Sequence, residues 1–158
     1  MNYSDINDRF QWHTYAGQMD SDVTYMFVLN QPVGRLAGSS DILYIGKTEQ
    51  SIRARYEQET KTKNSPGNTQ QTNIRTTFVF GKIGLDRVRC YYVKNLTFSP
   101  SDTERETFMD TLRTWDKKSF IALSERARLP ALEVSLEKYL LVRYASEHFE
   151  VPPMNNRM

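Results

Sequence analysis

A tyrosine, a lysine and an arginine lie close together in the sequence at a predicted strand-to-helix corner. Tyr44 lies in a short apolar segment that stops at Gly46. Lys47 follows directly, and Arg55 comes in the early turns of a predicted helix. A phenol can give or accept a proton, ammonium and guanidinium groups hold negative charge, and a helix N-terminus adds main-chain donors. This combination indicates a phosphate site, and an ordinary strand–turn–helix with surface cations is the alternative reading.

Positive charge is concentrated in the segment that begins at this corner. The chain carries a net charge of only +2, but residues 47–94 hold ten Lys and Arg against four Asp and Glu. A polyanionic partner such as nucleic acid fits that distribution, although each cation alone is an ordinary solvated side chain. The cations that we predict to contact nucleic acid are Arg53, Arg75, Lys82, Arg87 and Arg89.

The composition is that of one globular domain over residues 1–158. This length suits one hydrophobic core and is too short for two, and no apolar run reaches the about 18 residues of a membrane-spanning helix. Residues 1–22 lack the basic-then-apolar layout of a signal peptide, so we expect a cytoplasmic protein. The lone Cys90 excludes an internal disulfide and a cysteine metal cluster, and its apolar neighbours predict a buried thiol.

Three segments rich in β-branched and aromatic residues predict strands. The first two should pair as an antiparallel hairpin across a turn-rich connection. In the third, Val88 and Cys90 share one face, and Arg87 and Arg89 share the other. Polar residues around Pro66 predict a loop over 61–71. The three predicted strands are residues 23–29, 42–45 and 87–93.

Capping residues and apolar spacing predict five helices. Thr48 is the expected N-cap of the first, and Ile52 and Tyr56 lie four residues apart on its inner face. Ser101 begins a capping box, and Pro130 opens the last helix. The helices are predicted at residues 49–60, 72–80 (ended by Gly81), 102–118, 120–128 and 130–147. This order predicts an α/β (α+β) fold with a small mixed three-stranded sheet and flanking helices.

Five landmarks occur in order along the chain. Tyr25-Met26-Phe27 and Tyr44-Ile45-Gly46 lie on the hairpin, and Arg55 follows on the next helix. Glu137 opens a helical Glu-x-x-Leu-Leu, and Asn155 ends a Pro-x-x-Asn. This set resembles the GIY-YIG nuclease family, with Tyr-Ile-Gly as the second signature and Tyr-Met-Phe in place of the first. The resemblance covers residues 23–97 and 130–156, which leaves 1–22 as an extension and 100–129 as a helical insertion.

Two positions depart from the family pattern. The first signature lacks its glycine, and either Tyr25 or Phe27 occupies the place of its tyrosine. Tyr25 lies on the same strand face as Phe27, so it could supply the catalytic hydroxyl. Glu59 stands where the family often has a histidine or tyrosine, four residues after the arginine.

The resemblance implies a metal-dependent endonuclease that hydrolyses phosphodiester bonds in DNA. Glu137 would hold Mg²⁺ or Mn²⁺, with Glu133 as the other candidate ligand on the same predicted helix. Tyr44 would be the general base, and Lys47 would supply the lowered pKa that a phenol needs. Arg55 rather than Arg53 would clamp the phosphate, because it shares a side with the inward-facing Ile52.

Other readings stay open at this level. Asn155 is predicted to hydrogen-bond near the site and to contribute to nucleic-acid binding. By analogy the enzyme could be a restriction-type nuclease acting as a homodimer, or a repair or mobile-element nuclease. A noncatalytic nucleic-acid-binding module on the same scaffold is the main alternative, followed by a protein-interaction domain. RNA is not distinguished from DNA, and no membrane partner is expected.

Overall fold

The computed structural model describes residues 1–60, 80–126 and 133–155. They form an α+β fold in which a four-stranded antiparallel sheet has helices packed on both faces. A second sheet contains two strands. The strands are β1 His13–Thr14, β2 Val23–Gly34, β3 Ser39–Thr48, β4 Val88–Lys94, β5 Thr97–Phe98 and β6 Val134–Ser135. The helices are α1 Ser4–Asn7, α2 Ile52–Thr60, α3 Asp102–Trp115, α4 Lys117–Arg126 and α5 Leu136–His148.

The main sheet has the strand order β1-β4-β2-β3, with β2 and β4 in the middle. The predicted hairpin is confirmed, with Tyr25 opposite Gly46 and Phe27 opposite Tyr44. The predicted mixed three-stranded sheet is wrong in number and direction, because all neighbours are antiparallel and the N-terminal extension adds β1 beside β4. That extension also buries Ile6 in the core.

The two faces of the sheet bury separate cores because successive side chains of a strand point to opposite sides. Met26 and Val28 of β2 pack under α5, together with Leu136 and Leu140. We call this side the α5 face. The opposite side, the α2 face, packs the odd-numbered residues of β2 against α2 and the C-terminal segment. Its core includes Val23, Tyr25, Phe27, Leu29, Ile52, Phe80, Cys90 and Met154.

Local hydrogen bonds set where α2 and α5 begin. Ser51 Oγ accepts from the Ala54 amide at 3.2 Å, so α2 begins after Ser51 and the predicted cap Thr48 belongs to β3 instead. Ser135 caps α5 by accepting from the Lys138 amide at 3.3 Å. The predicted start of the last helix is therefore wrong for residues 133–135, since β6 pairs with β5 there.

The helical insertion contains two helices, as predicted, but their bounds differ from the predicted ones. The capping box between Ser101 and Glu104 is confirmed. The predicted helix over 102–118 instead stops at Asp116, whose carboxylate accepts from the Ser119 amide at 3.1 Å and so begins α4. Arg87 lies in a short 3₁₀ turn rather than in β4.

Several predictions fall partly outside the described residues. The loop predicted over 61–71 lies wholly outside, as do residues 72–79 of the second predicted helix and residues 130–132 of the last. Residues 80–83 are helical, so that helix does not end at Gly81. Cys90 is buried as predicted, and burial raises the pKa of its thiol. Of the helices in residues 1–60, 80–126 and 133–155, none has the length and apolar character needed to span a membrane.

Candidate active site

Three side chains on the α2 face form a connected polar group inside the core. Arg55 Nε donates to the Tyr25 hydroxyl at 2.9 Å, and its Nη2 lies 3.0 Å from Glu59 Oε1. The Tyr25 hydroxyl in turn donates to Glu59 Oε1 at 3.5 Å. Only 31% of the Arg55 side chain and 17% of the Glu59 side chain are exposed. We call these residues the Tyr25–Arg55–Glu59 group.

Of the two hairpin residues, Tyr25 brings a hydroxyl to Arg55 and Phe27 does not. Tyr25 is fully buried, yet its hydroxyl reaches the guanidinium. Phe27 packs edge-on against Phe80, with ring centroids 5.4 Å apart, and has no polar atom to offer. Arg55 therefore reaches inward as predicted. It lies on the same side of α2 as the buried Ile52.

The ring of Tyr44 lies over Gly46, two residues further along the same face of β3. A Cβ at Gly46 would come 2.6 Å from Tyr44 Cε1 and 2.8 Å from its hydroxyl oxygen, closer than atoms tolerate. The Tyr44 and Tyr25 rings are 5.6 Å apart between centroids. Glycine is therefore required at residue 46 for the Tyr44 phenol to lie beside Tyr25.

The two phenols are held in their protonated forms by their surroundings. Burial raises the pKa of Tyr44, and hydrogen bonding from Tyr25 and the charge of Arg55 only partly oppose this. Burial also raises the pKa of Tyr25 well above its ordinary value. The prediction that Lys47 lowers the pKa of Tyr44 is wrong for this arrangement. Lys47 is exposed and acts on Glu137 instead.

Glu137 opens α5 and reaches across to the end of β3. Burial raises the pKa of its carboxyl group, while the charges of Lys47, Lys138 and Arg55 and the Lys47 main-chain N–H draw it downward. The carboxylate therefore lies within electrostatic reach of the Arg55 guanidinium. The final helix and the early hairpin meet, as the sequence analysis requires for a shared site.

Asn155 holds the β3 strand of this corner through hydrogen bonds to its main chain. Its side-chain amide donates to the Ile45 carbonyl at 2.7 Å and accepts from the Ile45 amide at 3.0 Å, and Asn155 itself is buried. The Met154 amide donates to the Leu43 carbonyl at 2.9 Å. This geometry makes Asn155 a residue that positions β3, and its predicted contact with nucleic acid stays a prediction.

The acidic residues of the corner allow one kind of metal binding. No group of three or more His, Cys, Asp or Glu that could hold a metal ion occurs within residues 1–60, 80–126 and 133–155. Mg²⁺ needs only one or two protein carboxylates, because it keeps several waters and binds substrate phosphate directly. The half-buried Glu137 offers one carboxylate of the kind that this mode of binding uses. Glu133 is exposed and precedes β6, so it is not on the helix that carries Glu137.

The remaining predicted cations lie outside the corner. Arg53 pairs with Glu57 at 3.2 Å on the exposed side of α2. Lys82, Arg87 and Arg89 are exposed, and Val88 and Cys90 alternate with Arg89 as the strand pattern predicts. Arg75 lies outside the described residues. The predicted nucleic-acid-binding roles of these five cations stay predictions.

Comparison of the chain with protein-family models, with curated proteins and with solved structures finds no match.

Glu59 is the residue of the corner whose role the sequence analysis did not assign. It was noted only as a departure from the family pattern. The signal was present, because Glu and Arg four residues apart on a helix form ion pairs. Burial raises the pKa of the Glu59 carboxyl group, and Arg55 and Tyr25 oppose that rise.

Proposed function

We propose that this chain is a metal-dependent endonuclease of GIY-YIG type that hydrolyses phosphodiester bonds in DNA. One observation supports the proposal best. Two phenols and a guanidinium from β2, β3 and α2 lie together, and the Glu137 carboxylate at the start of α5 lies within electrostatic range of that guanidinium. A core needs hydrophobic contacts and gains nothing from gathering these groups, whereas phosphoryl transfer uses all of them.

Each residue has a distinct task in the proposed reaction. Arg55 binds the phosphoryl oxygens, and Tyr25 and Glu59 hold its guanidinium in one orientation before substrate arrives. Tyr44 orients the attacking water and accepts its proton. Because burial raises the pKa of Tyr44, that second task needs additional positive charge in the complex.

Glu137 would hold a divalent ion such as Mg²⁺ or Mn²⁺. A bound ion of this kind supplies positive charge to the phosphoryl oxygens and to nearby phenols. The Lys47 main-chain N–H donates to the Glu137 carboxyl group, and the charges of Lys47 and Lys138 oppose the rise in its pKa that burial causes.

A plasmid-cleavage assay with Mg²⁺ or Mn²⁺ tests the proposal. The Arg55→Ala and Glu137→Gln variants should each cleave roughly 100-fold or more slowly than the unaltered protein, as expected for loss of a positioned charge. The matched control is Arg53→Ala, which removes an exposed guanidinium from the same helix and should retain activity within a few-fold. Equal cleavage by all four proteins would reject the assigned site.

A noncatalytic nucleic-acid-binding module is the second candidate, and one observation favours it. Glu59 already balances the charge of Arg55, and the pKa of Tyr44 is raised rather than lowered. Under this alternative the protein binds DNA with an affinity that falls with salt, and no divalent metal produces cleavage. The same assay, run beside a binding measurement, separates the two functions.

A further inference from the structure

An exposed tryptophan lies at the turn between α3 and α4. Trp115 ends α3 with 44% of its surface exposed. Lys117 and Lys118 begin α4, and both are exposed and make no ion pair with any residue that the structure describes. A large aromatic side chain gains stability from burial, so its exposure between cations calls for a partner outside the fold.

This turn is fixed to the start of α5, beside the proposed metal ligand. Lys138 Nζ lies 2.6 Å from Asp116 Oδ2, with about one fifth of each side chain exposed. Burial alone would raise the pKa of Asp116, but Lys138 and the Ser119 hydroxyl and amide bring it down to about 2. Lys138 directly follows Glu137, so the ion pair holds the turn close to the candidate active site.

Within residues 113–118, positive side chains outnumber negative ones. Asp116 is the only carboxylate among residues 113–118, and Lys138 already engages it. Arg113 pairs with Asp110 at 3.2 Å, but both side chains are mostly exposed, and such pairs contribute little. Lys117 and Lys118 are exposed and follow the exposed Trp115 by two and three residues along the chain.

An aromatic ring beside unpaired cations is the combination that binds single-stranded nucleic acid. Bases stack on the ring, and the backbone phosphates lie against the ammonium groups. We propose that the α3–α4 turn binds an unpaired strand of nucleic acid, with a base stacked on Trp115 and phosphates on Lys117 and Lys118. The turn thus guides the substrate toward the corner of Arg55 and Glu137. The choice of nucleic acid as the ligand rests on the proposed function.

Binding of a labelled 20-base-pair duplex with a ten-thymidine single-stranded tail, measured without divalent metal at several salt concentrations, tests the surface. Trp115→Ala should weaken binding roughly 5- to 150-fold, as loss of one stacked base does, and Trp115→Phe should recover most of it. Changing Lys117 and Lys118 together to alanine should reduce the salt slope by about two. Ile121→Ala, which removes an exposed apolar side chain from α4, is the control and should bind normally.

Fluorescence supplies a readout that does not depend on affinity. The chain has two tryptophans, so a Trp12→Phe background reports on Trp115 alone. The tailed duplex should quench that emission, and a blunt duplex should quench it less. This inference would be overturned if Trp115→Ala binds the tailed duplex normally and the tailed duplex does not quench Trp115 in the Trp12→Phe background. Cleavage by Arg55→Ala would still test the proposed function. Absence of any DNA binding by the unaltered protein would overturn both.

Discussion

The two faces of the sheet bury different kinds of side chain. On the α5 face, Met26 and Val28 of β2 pack against Leu136 and Leu140. On the α2 face, the neighbouring residues of the same strand are Tyr25 and Phe27, in edge contact at 5.9 Å. There a hydroxyl, a guanidinium and a carboxylate lie within the core.

This difference indicates that stability and chemistry are divided between the faces of one strand. The α5 face buries groups that gain free energy simply by leaving water. The α2 face buries polar groups that must be satisfied individually, which fixes their geometry but adds little net stability. Substitutions on the two faces should therefore affect different measurements.

Leu140→Ala should have the largest effect on stability. Leu140 is fully buried under the sheet, and truncating a buried leucine lowers the free energy of unfolding by about 2–5 kcal/mol. Urea unfolding followed by circular dichroism measures this. The control is Leu36→Ala at the hairpin tip, where 77% of the residue is exposed and the change should stay below about 0.5 kcal/mol. Equal losses at the two positions would contradict the assigned core.

Gly46→Ala should reduce cleavage about 100-fold, because a methyl group at residue 46 displaces the Tyr44 ring from its place beside Tyr25. The free energy of unfolding should change by less than about 1 kcal/mol. The control is Gly34→Ala at the end of β2, where a Cβ meets no atom within 4 Å. If Gly46→Ala cleaves normally, Tyr44 has no part in the reaction.

Tyr25→Phe should lower the free energy of unfolding by about 1–2 kcal/mol, because Arg55 Nε loses its buried acceptor while the ring still packs. Cleavage should fall as well, since the guanidinium is no longer held. Tyr3→Phe removes a hydroxyl whose bond to Asn7 is exposed, and it should cost less than about 0.5 kcal/mol. Comparable losses in both variants would argue against a buried Tyr25–Arg55–Glu59 group.

Glu104→Gln should have the smallest effect, and the effect should depend on pH. Hydrogen bonding and charge from Arg9, with help from Tyr139 and Ser101, lower the pKa of Glu104 to about 2. A lowered pKa stabilises the fold above the unfolded value of 4.5, and this contribution is lost as pH falls toward 2. Because both side chains are about one third exposed, we expect less than about 1 kcal/mol near pH 7.

Urea unfolding at pH 7 and pH 2 checks this prediction. The difference between Glu104→Gln and the unaltered protein should close at the lower pH. Glu106→Gln, an exposed position on the same helix, should match the unaltered protein at both values. A difference that grows on acidification would show that the sign of the assigned pKa shift is wrong.

Elements with strong local signals were predictable from the sequence. The capping box at Ser101 and the alternation of β4 each depend on residues a few positions apart, and both are confirmed. The strands β1 and β6 contain two residues each and exist only because β4 and β5 pair with them. No local pattern encodes such pairs, so the predicted sheet lacked an edge strand and the last helix was predicted to begin too early.

The candidate site was predictable in its membership but not in its electrostatics. Tyr44, Arg55 and Glu137 were chosen from the family resemblance, and the structure brings them to one corner. The direction of the Tyr44 shift was wrong because spacing along a chain does not report burial, which is the dominant influence on that phenol. Lys47 is near Tyr44 in sequence, but its side chain points to solvent.

The outer edge of β3 has a consequence for assembly. Leu43 and Ile45 use their outward main-chain groups on Met154 and Asn155, and the Lys47 N–H faces Glu137. An edge that is occupied in this way offers no template on which another polypeptide could add a strand. If two copies of the protein associate, they must therefore do so through side-chain surfaces, and this stretch of the sheet is protected from strand-to-strand aggregation.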